Sequence, residues 1–286
     1  MVGTGARESR EQMFLRARSI LTLAALLLAT MLPAAAPAAV SATDLTIGQA
    51  ESRMISLINA DRAQAGLRAL RVDSRLMAIA RARSEDMATY HYFSHTQPDG
   101  RTAIDYLSAS SVSWYLEGEI IAYNYGYPTL GDSADVANTG WMNSSGHKAI
   151  IMSTNENYFG IGLAIDPSNG YRYWTGVFIK GPDRTGAWAR MGAKHTPGAR
   201  TSTGTRRIYL SWTGNDYLLQ VLTAGFYSFQ VQRRTDLGSW VTITSSTTSK
   251  STYRYQKVGH RYDFRVRARD RAGNYGSWSA YLSFSI

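Results

Sequence analysis

Cysteine is missing from all 286 residues, so no disulfide staples this fold and no thiolate can serve as a nucleophile. Stability has to come from burial of a core. Histidine is scarce, with five in the chain, and no His-Glu-x-x-His helix of the zinc-protease kind occurs. A membrane-spanning run is lacking as well: the apolar stretch Ile20 to Leu32 has thirteen residues, against the roughly 20 that cross a bilayer.

That stretch has another use. Arg7, Arg10, Arg16 and Arg18 precede it, an Ala/Pro tract ending Val40-Ser41-Ala42 follows it, and the order of charge, apolar core and small residues is that of a secretion signal. Residues 1–42 are expected to be cleaved before Thr43. The mature chain is then secreted, extracellular or associated with the cell envelope, with no transmembrane segment left.

Charge divides the remainder. Residues 43–186 carry twelve basic and fifteen acidic side chains, a net −3, whereas residues 187–286 carry fifteen and four, a net +11. The Thr/Gly/Arg/Ser-rich tract from Lys194 to Arg206 holds almost nothing to bury. We therefore expect a first domain at 43–186, a flexible linker at 187–205 and a second domain at 206–286.

In the first domain Ile47, Ala50, Met54, Leu57 and Ile58 recur at helical spacing, with Gly66 as a stop. Asp73 caps a second helix that buries Leu76, Ile79, Ala80, the stem of Arg83 and Met87. A third is expected over Asp132 to Met142, with Val136 and Trp141 inward. Tyr158–Ile165 and Tyr171–Ile179 are rich in aromatic and branched residues and flank Asp166-Pro167-Ser168-Asn169-Gly170, a hairpin signal. Helices first and paired strands last give an α+β domain with an antiparallel sheet.

Three polar motifs stand out: Phe93-Ser94-His95, Glu117-Gly118-Glu119 and Ser144-Ser145-Gly146-His147. Two imidazoles and a carboxylate suit a borderline divalent metal ion, zinc above all, and the same groups serve as acid and base. Each also has a bland role: His95 bonding its own loop, Glu119 a solvated loop carboxylate, His147 closing a helix. Everything depends on whether His95, Glu119 and His147 converge. Tyr90, Tyr92, Trp114, Tyr115, Tyr123, Tyr125 and Tyr127 bracket these motifs and would suit a sugar face or an acyl chain, or simply cover the core edge.

The ordered motifs, Asn59 and Arg62 with Gly66-Leu67, Asp86-Met87, Phe93-Ser94-His95, Pro98-Asp99-Gly100, Gly118-Glu119, Trp141, Gly146-His147, Gly160-Ile161-Gly162 and Tyr173-Trp174-Thr175, resemble the CAP superfamily in its cysteine-free bacterial form. The superfamily is also named for SCP or cysteine-rich secretory proteins, antigen 5 and pathogenesis-related 1. The resemblance implies an α-β-α sandwich whose cleft holds a divalent metal, with His95, Glu119 and His147 as ligands and Tyr173, where other members have a histidine, as a ligand-binding residue. Ile120 and Gly176 depart from the family pattern.

From Arg206 onward short alternating strands take over. Tyr262, Phe264, Val266 and Ala268 alternate with Arg261, Asp263, Arg265, Arg267 and Arg269, one packed face against one cationic face. Together with Trp212, the corner position of Tyr262 and the Gly273-Asn274 loop, this stretch resembles a fibronectin type III domain, which implies an all-β sandwich. Arg261, Arg265, Arg267 and Arg269 offer a surface to an anionic cell-wall polymer, or form a solvated strand face. Nucleic acid is not expected as a partner.

The leading expectation is a secreted binding protein for an extracellular ligand, a lipid or a glycan, or for a cell-surface partner. One alternative is a secreted peptide or ester hydrolase with Glu119 as the candidate catalytic group. The other is an envelope adhesin in which the first domain is scaffold.

Overall fold

The structure, a computed structural model, describes residues 44–286; the expected signal segment and its cleavage point lie outside them. Two helices open the described part. α1 (Ile47–Gln64) is closed at its start by a capping box of Thr46 and Gln49, and Gly66 follows it at φ +72°, a conformation that suits glycine. After the short strand β1 (Arg71–Val72), α2 (Ser74–Tyr90) begins at Asp73, whose carboxylate accepts from the Arg75 amide. α3 (Ala103–Ala109), β2 (Leu116–Asn124), α4 (Leu130–Asn143), α5 (Ser145–Ile151), β3 (Tyr158–Ile165) and β4 (Arg172–Lys180) complete the first module.

Its sheet has the order β1-β3-β4-β2, antiparallel except for the β1–β3 pair. Alternation along the strands separates two faces. Phe159, Ile161, Leu163, Ile120, Trp174 and Phe178 pack against α1 and α4, while Tyr158, Val177, Ile179, Ile121 and Tyr173 face α2. Gly160 and Gly162 fall on that second face. A Cβ at either would sit 2.2 or 2.3 Å from the backbone of α2, so glycine lets the helix rest directly on the sheet. Trp141 is buried as expected, but Val136 is exposed, because α4 turns the Ala134–Ala137–Trp141 side to the core.

The β3–β4 hairpin forms where the turn residues place it. Asp166 accepts from Ser168 N and Oγ, from Asn169 Nδ2 and from His91 Nδ1, and these contacts, Ser168 first, hold its carboxyl down at about 2. Because the folded value lies below the unfolded 3.8, the stability it supplies is present above pH 3.8 and disappears as pH falls toward 2. Asp166→Asn should flatten the acid limb of a melting-temperature profile in that window and lower the midpoint at neutral pH; an unchanged acid limb would show that the turn does not depend on this charge.

The C-terminal region is β-rich. Strands β5 (Trp188–Met191), β6 (Thr205–Asn215) and β9 (Ser251–Lys257) form one sheet; β8 (Val241–Thr247), β7 (Phe226–Thr235), β10 (Arg261–Asp270) and β11 (Leu282–Ser285) form the other. Ile208, Leu210, Trp212, Phe229, Val231, Phe264, Val266 and Phe284 share one core between them. The expected linker is corrected in part: residues 188–191 are a strand paired with β6, and Ala187 is fully buried. Nor is the junction loose. Leu219 buries against Leu76 and Val177 of the first module, Gln220 Oε1 accepts from Arg68 N and Arg62 Nη2, and Asn157 Nδ2 donates to Val221 O. Composition misled at the start of the linker because Trp188–Met191 gains its backbone partners from Trp212–Asn215, more than twenty residues further on.

The arginine row is a stacked ladder. Arg265 lies between the rings of Trp240 and Trp278, and Arg267 between Tyr275 and Trp278, with guanidinium-to-centroid distances of 4.1–4.5 Å; Gln232 and Gln230 accept their N–H groups. Arginine side chains so engaged brace one face of the sheet.

Candidate functional site

Arg83 sits in the apolar stripe of α2, and its guanidinium as well as its stem is fully buried. A buried cation requires a partner and filled hydrogen-bond positions. Arg83 Nε donates to Glu119 Oε1 at 2.9 Å, Nη1 to Tyr92 Oη at 3.1 Å, and Nη2 to the carbonyls of Ser94 and His95 at 3.0 and 2.9 Å. Burial alone would lower its proton affinity, but Glu119 outweighs this and raises it. One side chain thus fixes a carboxylate on β2 and the loop that carries His95.

Glu119 is not the solvated loop residue it looked like. It lies on β2, the edge strand, opposite Val177 on the face toward α2, with its side chain only 6 % exposed. Its second oxygen, Oε2, takes His95 Nδ1 at 2.7 Å, while the imidazole is 54 % exposed. A carboxylate on Nδ1 orients the ring and leaves Nε2 as the outward nitrogen. Glu117, two residues earlier on the same strand, has its carboxyl pushed up by burial and then by the charge of Glu119. Tyr92, hydrogen-bonded to Asp86, is pushed up to about 12, chiefly by burial.

His95, Glu117 and Glu119 line an open cleft of about 400 Å³ along the free edge of β2, walled by Thr102, Ala103 and Ile104 of the α3 region and by Ile150 of α5. His147, in the first turn of α5, lines the adjoining depression with Trp141 and Tyr123. Burial, then the charge of His95, holds its imidazole below the usual range. The two histidines therefore flank the edge strand from opposite layers.

The ligand set expected from the sequence is brought together only in part. His95 and Glu119 are joined, but among the described residues they and His147 do not form a group of three whose donor atoms lie within 4.8 Å of one another. Both Glu119 oxygens are already engaged, one of them by a buried guanidinium. A three-ligand metal centre does not fit that arrangement. Tyr173 lies apart: it pairs with Tyr123, four residues or about 13 Å along β2 from Glu119, and is buried beside Met87 and Ile121. Ser94 Oγ accepts from Thr96 N and makes no hydrogen bond to the His95 imidazole, whose Nδ1 is taken by Glu119. Sequence reading missed Arg83 as a site residue, although an arginine in a buried helical stripe signals a carboxylate partner.

With this geometry in place the relatives are informative. The model of the cysteine-rich secretory protein family, CAP, matches residues 55–178, and this part of the chain is a CAP domain. Among curated proteins, the uncharacterized protein YkwD of Bacillus subtilis is 32% identical over 150 residues, covering 50% of this chain and 54% of its own length. The uncharacterized membrane protein YlbC of the same organism is 33% identical over 130 residues, covering 46% and 34%. The chain thus spans about half of the first relative and a third of the second. An extracellular protein containing a SCP domain from Bacillus anthracis aligns at 28% identity over 46% of this chain and 41% of that one, with a TM-score of 0.40. No helix among the described residues is long and apolar enough to cross a membrane.

Proposed function

We propose that this is a secreted CAP-domain protein that binds an extracellular ligand, a lipid or a glycan, at the β2-edge cleft, with His95 as the polar anchor and Glu119 and Arg83 holding it from behind. The observation that carries this reading is the relay from Arg83 through Glu119 to His95: a fixed imidazole at the mouth of an open cleft whose other walls are largely apolar, the usual make-up of a ligand site. Export rests on the N-terminal segment and on the extracellular Bacillus anthracis relative. The strand orders β5-β6-β9 and β8-β7-β10-β11 support a fibronectin type III-like second domain that displays or spaces the first. Its net positive charge suits an anionic wall polymer, although stacking of Arg265 and Arg267 leaves fewer guanidinium edges for one.

A divalent ion would enter this site through His95 and His147, with Glu119 behind His95 rather than on the metal. Hydrolysis is the weaker alternative, because the His95–Glu119 pair has a base and its orienter but no positioned nucleophile or oxyanion donor.

The test uses the full mature chain, peptidoglycan sacculi and anionic phospholipid vesicles as probes. His95→Ala should reduce retention on one of them at least tenfold, at 0.15 and at 0.5 M salt alike, because the site is a cleft rather than a charged surface. Retention equal to wild type on both would overturn the cleft; loss with salt alone would assign attachment to the arginine-rich module. Turnover of a p-nitrophenyl ester that disappears in Glu119→Gln would replace binding with catalysis.

A further inference from the structure

Three aspartates meet where the two modules join. Asp183 follows β4 of the CAP module, Asp216 comes directly after β6 and Asp270 ends β10; all three are buried, and one carboxylate oxygen from each lies within 4.8 Å of the others. Like charges so close repel strongly in a low-dielectric site. None of the three makes a salt bridge among the described residues, and the nearby cations are turned elsewhere: Arg184 pairs with Asp73 and stacks on Tyr158, and Arg269 stacks on Tyr227 and Tyr275.

A separate observation points to a missing ligand. Asp216 is 4 % exposed; its Oδ2 accepts from Gly225 N, but its Oδ1 is buried with no hydrogen-bond partner. Asp183 Oδ1 accepts from Thr185 N and, at 3.4 Å, from Tyr158 Oη, while its Oδ2 takes Ala224 N. Asp270 takes Asn274 N on Oδ1 and Asn274 Nδ2 on Oδ2, so Asp183 Oδ2 and both Asp270 oxygens each keep a second lone pair. These donors fix the carboxylates and leave those lone pairs for a cation.

From this we infer a calcium site at the junction of the CAP domain and the β-rich domain, with Asp183, Asp216 and Asp270 as protein ligands. An all-oxygen set is the chemistry of a hard cation, and calcium, with bonds of about 2.3–2.6 Å and a tolerant, irregular shell, suits three carboxylates fixed by their own loops better than magnesium, which demands a near-ideal octahedron and keeps most of its water. Backbone carbonyls and water would complete the shell. Because one ligand comes from the first module and two from the second, the ion fastens them together. The site is distinct from the His95 cleft and does not depend on its function.

The experiment titrates the full mature chain, stripped with EDTA, with calcium chloride alone at pH 7.5. Calorimetry should give one site with sub-millimolar affinity, in the range of extracellular calcium modules, and a hundredfold excess over Kd should raise the unfolding midpoint by roughly 5–10 °C. Asp216→Asn and Asp270→Asn should each abolish the shift, and His95→Ala/His147→Ala should keep it. Absence of binding heat and of any midpoint shift in the wild type overturns the proposal whether or not the variants fold. A calcium response that survives in Asp216→Asn also overturns it, as does an Asp216→Asn chain that equals or exceeds the calcium-loaded wild type in stability, since the aspartates would then be held by shared protons.

Discussion

Gly162→Ala should lower the unfolding midpoint of the CAP module by about 6–12 °C, and Gly160→Ala by at least as much. The reason is where the added methyl would go. At Gly162 it would lie 2.3 Å from Ala80 C and Arg81 N, and at Gly160 2.2 Å from Leu76 C and Met77 N, backbone atoms of a helix that cannot rotate aside as a side chain does. Either α2 lifts from the sheet, opening the packing of Leu76, Ala80, Val177 and Ile179, or the strand moves; overpacking of this kind costs about 3 kcal/mol or more. Gly118→Ala is the control. The atoms nearest its methyl would all belong to the Ile150 side chain, the first at 3.1 Å, and a cost below about 1 kcal/mol is expected because that chain can shift. Thermal denaturation of the three variants decides: equal losses at all three would mean that backbone proximity is not what these positions protect.

Removing the buried guanidinium should be as damaging. Arg83→Met leaves Glu119 almost fully buried without its cation and leaves the Ser94 and His95 carbonyls without their donor. Breaking a buried pair in this way costs about 3–5 kcal/mol. If that penalty comes from the stranded carboxylate, Glu119→Gln in the Arg83→Met background should recover part of it, with a coupling of about 1–3 kcal/mol in the double-mutant cycle. Arg83→Lys should not rescue, since one ammonium cannot reach four acceptors held in a fork. Chemical denaturation of the four proteins measures the cycle, and additivity within about 0.5 kcal/mol would show that the two side chains act separately. Loss of the pair also frees the loop that presents His95, so ligand retention should fall with stability.

How much of this could be read in advance differs by element. α2 was legible from Asp73 and the spacing of Leu76, Ala80 and Met87, and the β3–β4 hairpin from its turn residues, because those signals are local. β2 is not legible as a strand from the sequence: Leu116–Asn124 carries two glutamates and a glycine, and an edge strand with one open side needs little hydrophobic alternation. The sequence therefore leaves a solvated loop position open for Glu119 beside its role as a ligand. For Arg83 the helical stripe shows only a buried stem, because the partner that makes a buried charge tolerable lies 36 residues away.

The sequence by itself determined the helical stripes, the hairpin, the ordered motifs of a CAP domain and the shift to a basic, strand-rich C-terminal region, since each is set by neighbours a few residues apart. Only the tertiary structure decided that Glu119 is held between Arg83 and His95, that His147 reaches the edge strand from α5, in the layer opposite the one that carries His95, and that Asp183, Asp216 and Asp270 meet at the domain junction. Those outcomes depend on which distant segments the burial of apolar faces forces together, and spacing along the chain does not encode the electrostatic partners that result.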